Sequence, residues 1–178
     1  AGKTWQSVLK CSPPNKGSNA FMECRQLTTS ELTLDFWVYL NAYQMATDWA
    51  RLVIFQAMYM GHQAHQRFEV GFRMQAGATT ARPYMIAYAD DGTTAVGSAL
   101  YPTTNGEAGG TAFEFDTMVD AGWHRMIESW KAESAVGAGD GVVGLTHYTG
   151  DGATPDCWLT RTAQSTGVLP VDRTRLLV

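Results

Sequence analysis

The sequence predicts an all-β chain folded as one antiparallel β-sandwich. Three observations carry that reading. Stretches rich in aromatic and β-branched residues recur between clusters of Gly, Asn, Asp and Pro, as in sandwiches and barrels. Odd and even positions separate cleanly over residues 32–40: Leu32, Leu34, Phe36, Val38 and Leu40 share one face, and Thr33, Asp35, Trp37 and Tyr39 share the other. Helical periodicity is sustained nowhere; only 42–50, with Tyr43, Met45 and Trp49, fits a helical turn or two, and we read it as loop.

Taken in order, the candidate strands are 4–10, 20–26, 32–40, 51–60, 67–75, 84–89, 112–116, 124–133, 142–148, 157–162 and 175–178. The apolar set of 32–40 is the core face. Residues 67–75 repeat the pattern, Phe68, Val70, Phe72 and Met74 opposing Arg67, Glu69, Arg73 and Gln75, which predicts a strand with one wet face. The longest irregular stretch, 90–110, holds six glycines or prolines. A loop of that length is uncommon unless it is functional, and it is placed to overhang a binding face. No internal repeat or low-complexity linker interrupts the chain, so residues 1–178 read as one domain.

Composition narrows the function classes. The 178 residues are 45% hydrophobic and 17% charged, enough apolar material for one core and unlike a disordered chain. Net charge is −4 and the basic residues are scattered singly, which argues against a nucleic-acid partner. No apolar run is long enough to span a bilayer, and residues 1–10 lack a signal-peptide core, so we expect no membrane insertion, with any leader removed. Cys11, Cys24 and Cys157 are an odd set without zinc-ligand spacing; a Cys11–Cys24 bridge and buried thiols both fit.

Gly122-Trp123-His124-Arg125-Met126 resembles the Gly-x-Trp-His signature of laminin G-like domains in the concanavalin A-like lectin and glucanase superfamily. Residues 32–38 are similar to that family's early Trp-bearing strand, and 142–152 to its hairpin ending in Asp-Gly. Together these cover about residues 20–152, in the family's order. The resemblance implies a jelly-roll sandwich in which Trp123 packs between the sheets and His124 hydrogen-bonds buried backbone, so both are expected to be structural. Thr149-Gly150 lengthens the hairpin turn relative to the family, and the family's closing strand pattern is absent after Arg175, as for a fragment of a longer chain.

The candidate ligand-binding residues are Asp35, Trp37 and Tyr39, because flat rings stack on sugar C–H faces while a carboxylate accepts hydroxyl hydrogen bonds. The same rings also suit a cover loop or a subunit interface. Glu114-Phe115-Asp116 opens like the carboxylate strand of jelly-roll glycosidases, but the second Glu is missing; Glu31 to Asp35 lacks the central Asp. No catalytic residue is therefore assigned. His62 and His65 have no third ligand and read as solvated loop. Asp90, Asp91 and Asp151 are weak calcium candidates, since Asp-Gly is first a turn signal; no other cofactor is expected.

These readings converge on a non-catalytic module that recognises carbohydrate or another surface ligand, and that works outside the cell or on an exposed surface. The alternative is a structural or adhesion domain of a virion, fibre or cell-surface assembly, homo-oligomeric or larger, whose partner is a protein surface. A polysaccharide hydrolase or lyase ranks third.

Overall fold

A computed structural model describes residues 21–40, 51–60, 65–74, 80–96, 113–114 and 119–177. Among them are ten strands and no helix: β1 (Phe21–Thr29), β2 (Glu31–Leu40), β3 (Arg51–Tyr59), β4 (His65–Met74), β5 (Ala81–Ala87), β6 (Phe113–Glu114), β7 (Gly122–Lys131), β8 (Gly141–Thr149), β9 (Cys157–Gln164) and β10 (Val171–Leu177). The sequence-predicted strand at 4–10 and the 42–50 segment lie outside the described residues, as does most of 90–110.

All pairings are antiparallel. One sheet has six strands in the order β1-β10-β3-β4-β5-β6, the other four in the order β2-β7-β8-β9. The long β2–β7 ladder, in unbroken register from Glu31↔Lys131 to Leu40↔Gly122, fixes which β2 side chains face inward. Those are the apolar ones: Leu40 is fully buried, and Leu32, Leu34, Phe36 and Val38 pack against the same core.

The two sheets face each other across that core. Phe36 of β2 packs on Phe55 of β3 at 4.9 Å, Trp130 of β7 on Phe68 of β4 at 6.0 Å, and His124 of β7 on Phe72 of β4 at 5.4 Å between ring centroids. Met126, Val143, Leu145 and Leu159 from the small sheet and Ala57, Val70, Met85 and Val171 from the large one complete the same buried cluster. The fold is thus the antiparallel β-sandwich expected from the alternation.

One expectation fails on β4. The face carrying Arg67 and Glu69 was expected to be wet, yet Arg67 is 0% exposed and Glu69 5%. Arg67 sits where the β3–β4 register slips between Ala57 and Met58, and the bulge turns its side chain under the end of the sandwich. There its guanidinium donates to Ala89 O at 2.7 Å and to Thr166 O, lies 3.1 Å from Asp90, and covers the Trp130 ring at 5.5 Å. Glu69 accepts from Gln66 Nε2 at 2.6 Å and from the Tyr84 hydroxyl at 3.2 Å. Both buried side chains are held by hydrogen bonds to local partners.

Candidate functional site

The outer face of the four-stranded sheet collects the chemistry. Alternation along β7 sends His124, Met126, Glu128 and Trp130 inward and Trp123, Arg125, Ile127 and Ser129 outward. This corrects the placement expected for Trp123. Neighbouring residues on one strand cannot both enter the core, and with His124 buried, Trp123 stands on the outer face, edge-to-face with Tyr39 at 5.3 Å.

Register then assembles a row. Trp37 lies opposite Arg125, and Arg125 opposite Tyr148; Tyr39 lies opposite Trp123, and Thr146 opposite Trp158. Arg125 grips Asp35 on the diagonal, Nε to Oδ1 at 2.8 Å and Nη2 to Oδ2 at 2.6 Å, while its guanidinium carbon sits 5.5 Å from the Tyr148 ring centre. The hydrogen bonds to Asp35 are the main reason the guanidinium holds its proton more tightly than usual. Two rings are well exposed, Tyr39 at 55% and Trp158 at 43%. Trp37, Trp123 and Tyr148 are partly buried.

Beyond the rings, Thr33, Ser129, Gly144 and Thr160 align across the four strands. A side chain at Gly144 would come within 2.5 Å of Ser129 Oγ, so the glycine is what lets these hydroxyls close up. A recess of about 70 Å³ lies at this end, lined by Glu31, Thr33, Ser129, Lys131 and Val142. It is well below the few hundred cubic ångströms of a small-molecule pocket. The rings on this face lie on a flat surface rather than in an enclosed pocket.

Asp35, Trp37 and Tyr39 are all placed on this face, with Asp35 committed to Arg125. Arg125, Trp123, Tyr148 and Trp158 join them and were not singled out as ligand-binding from the sequence. The available signal was the same alternation in β7, β8 and β9, read without knowing which strands pair. Glu31 is exposed at the start of β2, and of Glu114-Phe115-Asp116 only the Glu114 backbone, in β6, is described.

The inner face of β7 and β8 holds a second polar set. His124 and His147 are fully buried and stacked at 5.1 Å, with His124 Nδ1 3.0 Å from His147 Nε2. His124 Nε2 meets Asp120 O at 2.9 Å, and His147 Nδ1 lies 3.4 Å from Asp156 Oδ2. Burial lowers both imidazoles, His147 to about 4, where the neighbouring His124 adds to the effect. Glu128, on the same face, has neither carboxyl oxygen hydrogen-bonded among the described residues, and burial raises it well above the ordinary range.

Two of the calcium candidates, Asp90 and Asp91, accept backbone amides and lock turns. Asp90 accepts from the amides of Val168 and Leu169 at 3.0 and 2.9 Å, and Gly167, at φ +72°, leaves room for its carboxylate. Asp91 accepts from the Thr93 and Thr94 amides at 2.8 and 2.7 Å and from the Thr94 hydroxyl, the chief reason its carboxyl drops to about 2. Asp151 is exposed in the β8–β9 turn. No three His, Cys, Asp or Glu side chains converge among the described residues. His65 opens β4, its Nδ1 against Asp90 O, and His62 lies outside the described residues. Cys157 is buried in the core, Cys24 is in β1, and Cys11 lies outside the described residues.

No family model, curated protein or solved structure matches the chain.

Proposed function

We propose that the outer face of the β2-β7-β8-β9 sheet is a carbohydrate-binding platform on a non-catalytic, concanavalin A-like module of an extracellular or surface-exposed protein. The observation that supports it is the gathering of five aromatic side chains, Trp37, Tyr39, Trp123, Tyr148 and Trp158, on one open sheet face around a fixed Arg125–Asp35 pair. Large rings left in water are a cost to a lone domain unless a ligand or partner uses them. Flat rings beside a rigid guanidinium suit the apolar faces and hydroxyl edges of a sugar.

The reading is tested with the Trp158→Ala and Tyr39→Ala variants on a glycan array, alongside their melting temperatures and native masses. Both side chains are substantially exposed, Tyr39 at 55% and Trp158 at 43%, so each variant is expected to keep its fold and lose sugar binding. A wild-type protein that binds no glycan but assembles through this face, with the assembly lost in Trp158→Ala, would replace this reading with a structural or adhesion role.

A further inference from the structure

We infer that His147 and Asp156 form a one-proton site at the rim of the core, and that its occupancy latches the β8–β9 turn to the sandwich. The inference comes from counting hydrogens along a chain of four groups. A backbone carbonyl only accepts, so the 2.9 Å contact between His124 Nε2 and Asp120 O puts the His124 proton on Nε2. A neutral His124 then presents a lone pair at Nδ1. The nitrogen 3.0 Å away, His147 Nε2, must be the donor.

That choice exhausts the proton of a neutral His147. Its Nδ1 carries a lone pair, is fully buried without a hydrogen-bond partner, and faces Asp156 Oδ2 at 3.4 Å. Two acceptors confront each other across that gap, and one added proton turns the repulsion into a charge-assisted hydrogen bond. Among the described residues no hydrogen bond reaches that nitrogen. On β7, His124 is already spoken for and Met126, opposite His147, has no proton to give; on β9, the residue opposite is Cys157; from β4 the Phe72 ring closes the site at 6.1 Å. Burial opposes a proton on His147, the neighbouring His124 adds to that, and the charge of Asp156 favours it; Asp120 acts on His124 alone. Glu128, two residues past Met126 on β7, is the remaining titratable group on that strand's inner face, and burial raises its pKa.

Asp156 is also the residue whose amide donates to His147 O at 2.9 Å, closing the turn that begins at Thr149. Proton uptake therefore ties the far end of that turn to the core by two bonds in place of one.

The test uses the intact chain. Long-range 15N–1H spectra of the imidazoles at pH 7.5 are expected to show both histidines as Nε2–H tautomers, with His147 Nδ1 gaining the proton on acidification. Over the same titration, the protection factor of the Asp156 amide, relative to the intrinsic exchange rate at each pH, is expected to rise about tenfold, the effect of one added charge-assisted bond. Asp156→Asn should mimic the occupied state at neutral pH, because the amide side chain supplies the missing hydrogen; its turn should be protected at pH 7.5 and insensitive to acid. Asp156→Ala should push the His147 titration to lower pH. A neutral Nδ1–H tautomer for His147, a His147 midpoint unchanged in Asp156→Ala, or turn protection that ignores both acid and Asp156→Asn would each overturn the inference.

Discussion

The two sheets of the sandwich treat their outer faces differently. On β4 and β5 of the large sheet both faces are buried: Phe68, Val70, Phe72 and Met85 face the other sheet, while Glu69, Tyr84 and Ile86 are buried on the far side. On the small sheet burial alternates strictly along β7, and the outer face stays in contact with water. On the covered outer side of the large sheet Glu69 is paired with Gln66 and Tyr84. Where a face is open, a pair such as Arg125–Asp35 is partly solvated and adds little to stability, so it is free to be used for recognition. This difference is why we propose the open face of the small sheet as the binding face.

The sharpest way to break that comparison is to delete one tryptophan from each face of β7. Trp130 is 1% exposed and packs on Phe68 and Arg67, so Trp130→Ala should cost about 3 to 5 kcal/mol by urea or thermal unfolding. Trp123 stands on the outer face, and Trp123→Ala should cost about 1 to 2 kcal/mol, from partial burial and one ring contact. Equal losses would show that the outer face is as closed as the inner one.

Glu128 sharpens the comparison from inside. An unpartnered acid in the core costs desolvation, so Glu128→Leu should raise stability by about 1 to 3 kcal/mol. The gain should depend on pH with a definite sign. A carboxyl whose folded pKa is raised contributes most below the unfolded value of 4.5 and loses that contribution as pH rises toward the folded pKa. The advantage of Glu128→Leu over the parent should therefore grow between pH 4 and pH 8. His147 works in the opposite direction: with its pKa lowered from 6.5 to about 4, the parent loses stability as pH falls through that window. Both proteins carry His147, so its slope cancels in their difference.

How far the sequence carries this picture is seen strand by strand. Alternation at 32–40 gave the β2 faces correctly, because one face of that strand is core and the other open. The same pattern in 67–75 misled, because period-two alternation reports which side chains share a face and not whether anything covers it. Trp123 misled for a different reason. The Trp-His resemblance put both residues in the core, although adjacent strand positions point opposite ways and only His124 can enter. Arg125, Tyr148 and Trp158 come together through pairing register, which a single sequence does not state. The His124–His147–Asp156 chain likewise needs β7 beside β8.

The smallest expected effect is the most diagnostic for the open face. Asp35 and Arg125 make a two-point contact, yet their side chains are 47% and 34% exposed, so water competes for both charges. Exposed pairs of this kind contribute about 0 to 1 kcal/mol, and the salt dependence of that contribution is the mark of their exposure. Asp35→Asn should leave the melting temperature within about 2 °C of the parent, since one of the two contacts keeps an acceptor oxygen. What it should change is the order of the Arg125 guanidinium, held between Asp35 and the Tyr148 ring. If Arg125 serves the platform, Asp35→Asn weakens glycan binding severalfold at unchanged stability, and Arg125→Lys, which keeps the charge and loses the planar fork, weakens it as much. A variant that melts several degrees lower would show instead that this pair is desolvated, and that the outer face of the small sheet is covered after all.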